Sequence, residues 1–96
     1  MATYALMCFD KPSSLDLRMA NRPAHLAYAD ACKEVVYGGP MLDDKGDMCG
    51  SLIVFEAPDK AFVEAFSAAD PYRLAGLFAQ VEIRQLRLPL GAHRAT

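Results

Sequence analysis

The chain has no tryptophan and only two histidines, and its three cysteines, Cys8, Cys32 and Cys49, stand singly along 96 residues. An odd number of widely spaced thiols fits neither a disulfide framework nor a zinc or redox motif, so buried free thiols are the expectation. No Gly-rich phosphate loop and no metal-ligand spacing occurs, so no cofactor and no metal are expected. A basic run is also missing. Ten Lys and Arg against twelve Asp and Glu leave a net charge of −2, which argues against a surface for a phosphate backbone and against nucleic acid as a partner. No apolar stretch approaches the length of a membrane span, and the opening Met1-Ala2-Thr3-Tyr4-Ala5-Leu6-Met7 lacks a cationic leader region. The expectation is a soluble, cytoplasmic protein with no membrane partner.

What is present is apolar mass. With 53% hydrophobic and 23% charged residues the chain can bury a substantial core, and its length suits one domain over residues 1–96. Thr3 to Phe9 is apolar in both alternating sets, as in a strand covered on both faces, and Asp10-Lys11-Pro12-Ser13-Ser14 ends it with turn residues. From Ser14 to about Lys33 the period becomes helical, with Leu15, Met19 and Leu26 near one line and Arg18, Arg22 and His25 in a neighbouring row. Ser13 or Ser14 is placed to cap this helix. Pro23 predicts a kink or break near Asn21, which would cap a second piece.

Glu34 to Leu42 starts β-branched and meets Gly38-Gly39-Pro40, which predicts an irregular edge strand. Sheet geometry is the favoured account of the glycines, with a floor beside a pocket as the alternative. Asp43-Asp44-Lys45-Gly46-Asp47 reads as a hairpin turn, without the spacing of a calcium loop. Met48 to Glu56 is a third strand, apolar on both faces from Leu52 to Phe55, with Ser51 as its polar exception. A second helix opens near Pro58 and presents Ala61, Phe62, Ala65 and Phe66 as its apolar face. Asp70-Pro71 then starts a short helical piece that stops at Gly76. Gln80 to Arg84 alternates, so the last strand has one wet face. Residues 89–96 carry no pattern and are expected to be mobile, which makes His93 a poor catalytic candidate.

The order strand, helix, strand, strand, helix, strand predicts an α+β, ferredoxin-like βαββαβ fold, with a four-stranded antiparallel sheet and both helices on one face. The other sheet face would then expose apolar surface, and a homodimer packed sheet against sheet is the expected solution.

His25 is the one imidazole in the patterned part of the chain, and two arginines share its helix edge. A lone histidine on a helix is more often structural, and arginines are more often a solvated flank. The functional reading is an anion-binding edge beside a group that titrates near neutral pH. Arg22-Pro23-Ala24-His25-Leu26, Gly39-Pro40-Met41-Leu42, Gly50-Ser51-Leu52 and Asp70-Pro71-Tyr72 with Ala75-Gly76-Leu77 together resemble the signature of the YciI family, over Tyr4 to about Arg87. The resemblance implies a dimeric α+β barrel with a site built on a His and an Asp, here His25 and Asp70. It also implies small-molecule chemistry, since the family includes a lyase that eliminates HCl from a chlorinated hydroxyquinol. The expected mechanism is cofactor-independent proton transfer of lyase or isomerase type. His25 and Asp70 act as the dyad, and Arg18, Arg22, Ser51 and Tyr72 contact the substrate. The alternative is a small-ligand binding or regulatory module that turns nothing over, or an accessory domain in which the constellation is accidental.

Overall fold

The computed structural model describes residues 1–91, and Ala92 to Thr96, with the expectation for His93, lie outside the described residues. The elements are β1 (Ala2–Asp10), α1 (Leu15–Asp30), β2 (Val35–Leu42), β3 (Met48–Ala57), α2 (Lys60–Ala69), α3 (Pro71–Leu74) and β4 (Phe78–Leu86). The four strands form one antiparallel sheet in the order β2-β3-β1-β4. This is the ferredoxin-like βαββαβ arrangement, with the two strands that are apolar on both faces at its centre. β2 is the irregular edge strand, its register slipping between Val35 and Tyr37 and between Met41 and Leu42.

Alternation divides the sheet. Tyr4, Leu6 and Cys8 of β1 and Ile53, Phe55 and Ala57 of β3 join Val63 and Phe66 of α2 in the core. Ala5, Met7, Phe9, Leu52 and Val54 belong to the opposite face, where Phe9 and Leu52 are each 37% exposed. Gly50 is required by close approach, since a Cβ there would lie 2.5 Å from the Cys8 carbonyl oxygen.

The helices depart from the expected pattern in three ways. First, α1 is continuous, with Pro23 inside it, and no break occurs at Asn21, whose Nδ2 donates to the Leu17 carbonyl at 2.9 Å instead of capping a new helix. Proline forfeits one rung, and the helix is anchored on both sides of it, through Arg18 and His25. Second, Ser14 occupies the N-cap position but makes no capping bond, and its hydroxyl donates to the Pro12 carbonyl. Third, α2 buries Val63, Phe66 and Ser67 while Ala61 and Ala65 face outward, because its first turn starts at Lys60 on the Asp59 cap, whose carboxylate accepts from Phe62 N. That phase carries Val63 inward and Ala61 outward.

Candidate functional site

α1 is turned with its polar row inward. Arg18 is 2% exposed and His25 8%, whereas Leu15, Met19 and Leu26, the apolar line, are 37%, 51% and 45% exposed. The solvated-flank reading of Arg18 is therefore corrected. Residues 18, 22, 25 and 29 follow the i, i+4, i+7 spacing of one helix face. The same face turns apolar toward its C-terminal end, where Tyr28, Ala29 and Cys32 pack on the core. The Tyr28 hydroxyl donates to the Phe66 carbonyl at 2.7 Å and ties α1 to α2.

The polar end of this face is satisfied by side chains from three other elements. His25 Nδ1 lies 2.9 Å from Asp70 Oδ1, and that same oxygen accepts from Tyr72 N–H at 2.9 Å. Asp70 links α2 to α3 with extended backbone and caps α3, so one buried carboxylate both starts a helix and faces the imidazole. A carboxylate oxygen only accepts, so Nδ1 carries a proton and Nε2 is the nitrogen left for a ligand. The His25 ring stacks on Tyr72, with centroids 4.1 Å apart and planes 18° from parallel.

Arg18 approaches the same tyrosine, its Cζ 4.5 Å from the ring centroid. Its guanidinium is already occupied: Nε donates to Asp10 Oδ2 at 2.7 Å, and Nη2 donates to Asp10 Oδ1 at 3.0 Å and to Ser51 Oγ at 2.8 Å. Burial works against the Arg18 charge, but the hydrogen bonds and field of Asp10 outweigh it and raise the pKa, so Arg18 stays cationic. Burial likewise pushes the Tyr72 phenol above its ordinary value, although Arg18 and Arg22 pull it down, which keeps the hydroxyl protonated at neutral pH. Cys8, beneath these groups, has its thiol pushed up to about 12 by burial first and by the Asp70 charge second. It is not a thiolate nucleophile.

Five of the six residues singled out from sequence meet one surface, and the sixth supports it. Arg18, Arg22, His25, Ser51 and Tyr72 line a cavity of about 200 Å³ between α1 and the edge of the sheet, and Asp70 stands behind His25. Gly38, Gly39 and Pro40 of β2 form the facing wall, so the pocket-floor account of the glycines applies. Sheet geometry applies as well, because a Cβ on Gly38 would meet the Leu52 carbonyl oxygen at 2.9 Å. Arg22, half-buried, makes no ion pair among the described residues and is the uncommitted cation of the cavity. No group of His, Cys, Asp and Glu among the described residues could hold a metal ion.

The residue that sequence reasoning missed is Asp10, assigned there to a turn. β1 runs one residue further, and Asp10 continues the Tyr4, Leu6, Cys8 alternation onto the helix side, where Arg18 waits. That continuation of period two was the available signal.

A buried His and Asp beside a small cavity, carried by a ferredoxin-like chain, make a candidate site of the kind the α+β barrel class of folds can house. The model of the YCII-related domain matches residues 2–87, and the chain belongs to that family. Protein YciI of Escherichia coli O6:H1 is 30% identical over 93 residues, covering 88% of this chain and 95% of that protein. The 5-chloro-2-hydroxyhydroquinone dehydrochlorinase of Burkholderia phenoliruptrix AC1100, solved with 2,5-dihydroxybenzoquinone, is 34% identical with a TM-score of 0.83, covering 97% of this chain and 99% of that one. An antibiotic biosynthesis monooxygenase, 15% identical with a TM-score of 0.57 over 90% of this chain and 96% of its own, shares the fold alone.

Proposed function

We propose that this protein is a cofactor-independent proton-transfer enzyme of lyase or isomerase type, acting on a small, oxygen-rich ring or keto acid. The observation that carries the reading is the His25–Asp70 pair at 2.9 Å, with His25 on the wall of the cavity and Asp70 buried behind it. The 34%-identical dehydrochlorinase, solved with a hydroxylated quinone, supports the substrate class. His25 Nε2 takes a proton from the substrate or returns one to it, and Asp70 fixes the ring and stabilises its imidazolium form. The Arg22 guanidinium holds the substrate's anionic oxygen. Ser51 Oγ accepts from Arg18, which leaves its own hydrogen free to donate into the cavity.

The working unit in this reading is a homodimer joined through the open sheet face. Tyr37, Phe9 and Leu52 lie there 41%, 37% and 37% exposed, an apolar surface that a second copy would cover. Sedimentation at micromolar concentration checks this, and a monomer would overturn it.

The chemistry is tested by screening hydroxyquinols, hydroxyquinones and keto acids for turnover, then by His25→Ala and Asp70→Asn. Asn caps helices about as well as Asp, so Asp70→Asn removes the charge while keeping α3. Turnover in both variants should fall about 100-fold to 10,000-fold with circular dichroism unchanged. Ligand binding without turnover, weakened only a few-fold by either change, would establish the binding-module reading instead.

A further inference from the structure

We propose that Asp10 is a positioning residue for His25, acting through Arg18 and the ring of Tyr72. The chain of contacts is continuous. Asp10 holds the Arg18 guanidinium at two points, 2.7 and 3.0 Å, and Ser51 takes a third bond at 2.8 Å. So pinned, the guanidinium packs on the Tyr72 ring at 4.5 Å, and that ring stacks against His25 at 4.1 Å. Arg18 and His25 are seven residues, about two turns or ~10 Å, apart on α1, and the tyrosine ring is in contact with both.

Why such a device is needed follows from the hydrogen bonding of the dyad. A single hydrogen bond donated by Nδ1–H to Asp70 Oδ1 fixes the distance of the imidazole but leaves the ring free to swing about that bond. A second contact on the flat face of the ring sets its plane, and with it the direction of Nε2. Tyr72 supplies that contact; its ring is fully buried, meets Phe78 edge-on at 6.0 Å and carries the Arg18 guanidinium over its face, so Arg18 is the polar group that fixes the ring against His25. The bidentate pair is suited to this, since the planar guanidinium has one orientation over the carboxylate and stacks well on an aromatic face. Its charge is spent on Asp10, so in this account Arg18 supports the site and Arg22 alone meets the substrate's charge.

The inference rests on the reading of His25 as the proton-carrying group, but it is tested by where the ring sits, without turnover. Protein labelled with 13C at histidine is followed by NMR, with His25→Ala assigning the peaks. In the unsubstituted protein the His25 ring protons should be shifted upfield by the Tyr72 ring, and Tyr72→Leu should remove that shift. Asp10→Asn should move the same resonances at least halfway to their Tyr72→Leu positions, and Asp10→Glu, which keeps the charge, should restore part of the displacement. His25 resonances unchanged in folded Asp10→Asn would overturn the proposal while leaving His25 free to act as a base. If Asp10→Asn does not fold, the double change Asp10→Asn with Arg18→Met removes the stranded charge and is read in the same way. In the unsubstituted protein, Arg18 Nε–H should exchange slowly with water and show Overhauser contacts to the Tyr72 ring. A rapidly exchanging Arg18 without them overturns the proposal whatever the variants do. Once a substrate is found, Asp10→Asn should lower kcat at least tenfold with KM changed less than threefold.

Discussion

α1 and α2 cover the same sheet face and use opposite means. α2 buries Val63 and Phe66, 0% and 6% exposed, against Phe55 and Tyr28, with ring centroids 4.9 and 4.7 Å from that of Phe66. α1 buries Arg18 and His25 and turns Leu15, Met19 and Leu26 to solvent. Apolar burial contributes about 1.5–3 kcal/mol for each large side chain, whereas a buried ion pair does little better than break even against its desolvation. α2 therefore serves the core, whereas α1 carries the candidate site from Arg18 to His25 and joins the core only at its C-terminal end, through Tyr28 and Ala29. The polar half is tolerated because its buried groups, Arg18 and His25, are paired, and among the described residues no buried side-chain nitrogen or oxygen lacks a partner.

The largest effect expected on this division is at its polar end. His25→Ala should cost about 100-fold to 10,000-fold in turnover per folded molecule, and it should also lower the melting temperature, because it leaves the buried Asp70 carboxylate without its imidazole partner. The mirror experiment is Phe66→Ala, which should destabilise by about 3–5 kcal/mol in denaturant titration while each folded molecule keeps its turnover. If Phe66→Ala cut turnover per folded molecule as deeply as His25→Ala, the two helices would not be separable in function.

A finer distinction lies within α1. Arg18 and Arg22 differ by four residues and by partner, since Asp10 claims one and the cavity keeps the other. Replacing Arg22 by Gln removes a charged hydrogen bond to the ligand, worth about 1.5–3 kcal/mol, so affinity for an anionic ligand should fall about ten- to a hundred-fold by calorimetry. Stability should barely move, because Arg22 has no ion pair to lose among the described residues. An affinity unchanged in Arg22→Gln would return the anion to Arg18 and collapse the distinction.

The same contrast explains what could be read in advance. The sheet order was legible because two strands are apolar in both alternating sets, a pattern that only central positions satisfy. The inward face of α1 was not, because a row of Arg18, Arg22 and His25 looks solvated until a carboxylate is supplied from elsewhere in the chain. Asp10 supplies one from the end of β1 and Asp70 another from the α2–α3 junction, and neither partnership has a local signature. Pairing of His25 with Asp70 came from the family resemblance, which carries tertiary information that periodicity lacks. Pro23 misled for the same reason, since anchors at Arg18 and His25 override a local propensity to break.

The smallest effect sits on the boundary between the two regions. Cys8 belongs to the apolar core yet feels Asp70, Arg18 and Asp10 from the site, and its thiol is pushed up to about 12 from 9.0 by burial and then by Asp70. Because the folded-state value is the higher one, the thiol contributes no loss of stability below the unfolded-state value. Above it, the unfolded chain releases a proton that the folded chain retains, so stability falls as pH rises between about 9 and about 12. At one unit above the unfolded value the loss is about 1.4 kcal/mol. Other groups titrate in that range, so the measurement is the difference between the protein and Cys8→Ala, whose stability should decline less steeply with pH by that amount. Exposed Cys49 gives the matching chemical test, because at pH 8 iodoacetamide should label it in the folded protein and spare Cys8. Parallel stability curves, or labelling of Cys8 at the rate of Cys49, would place Cys8 in a wetter and more cationic setting, on the site side of the boundary.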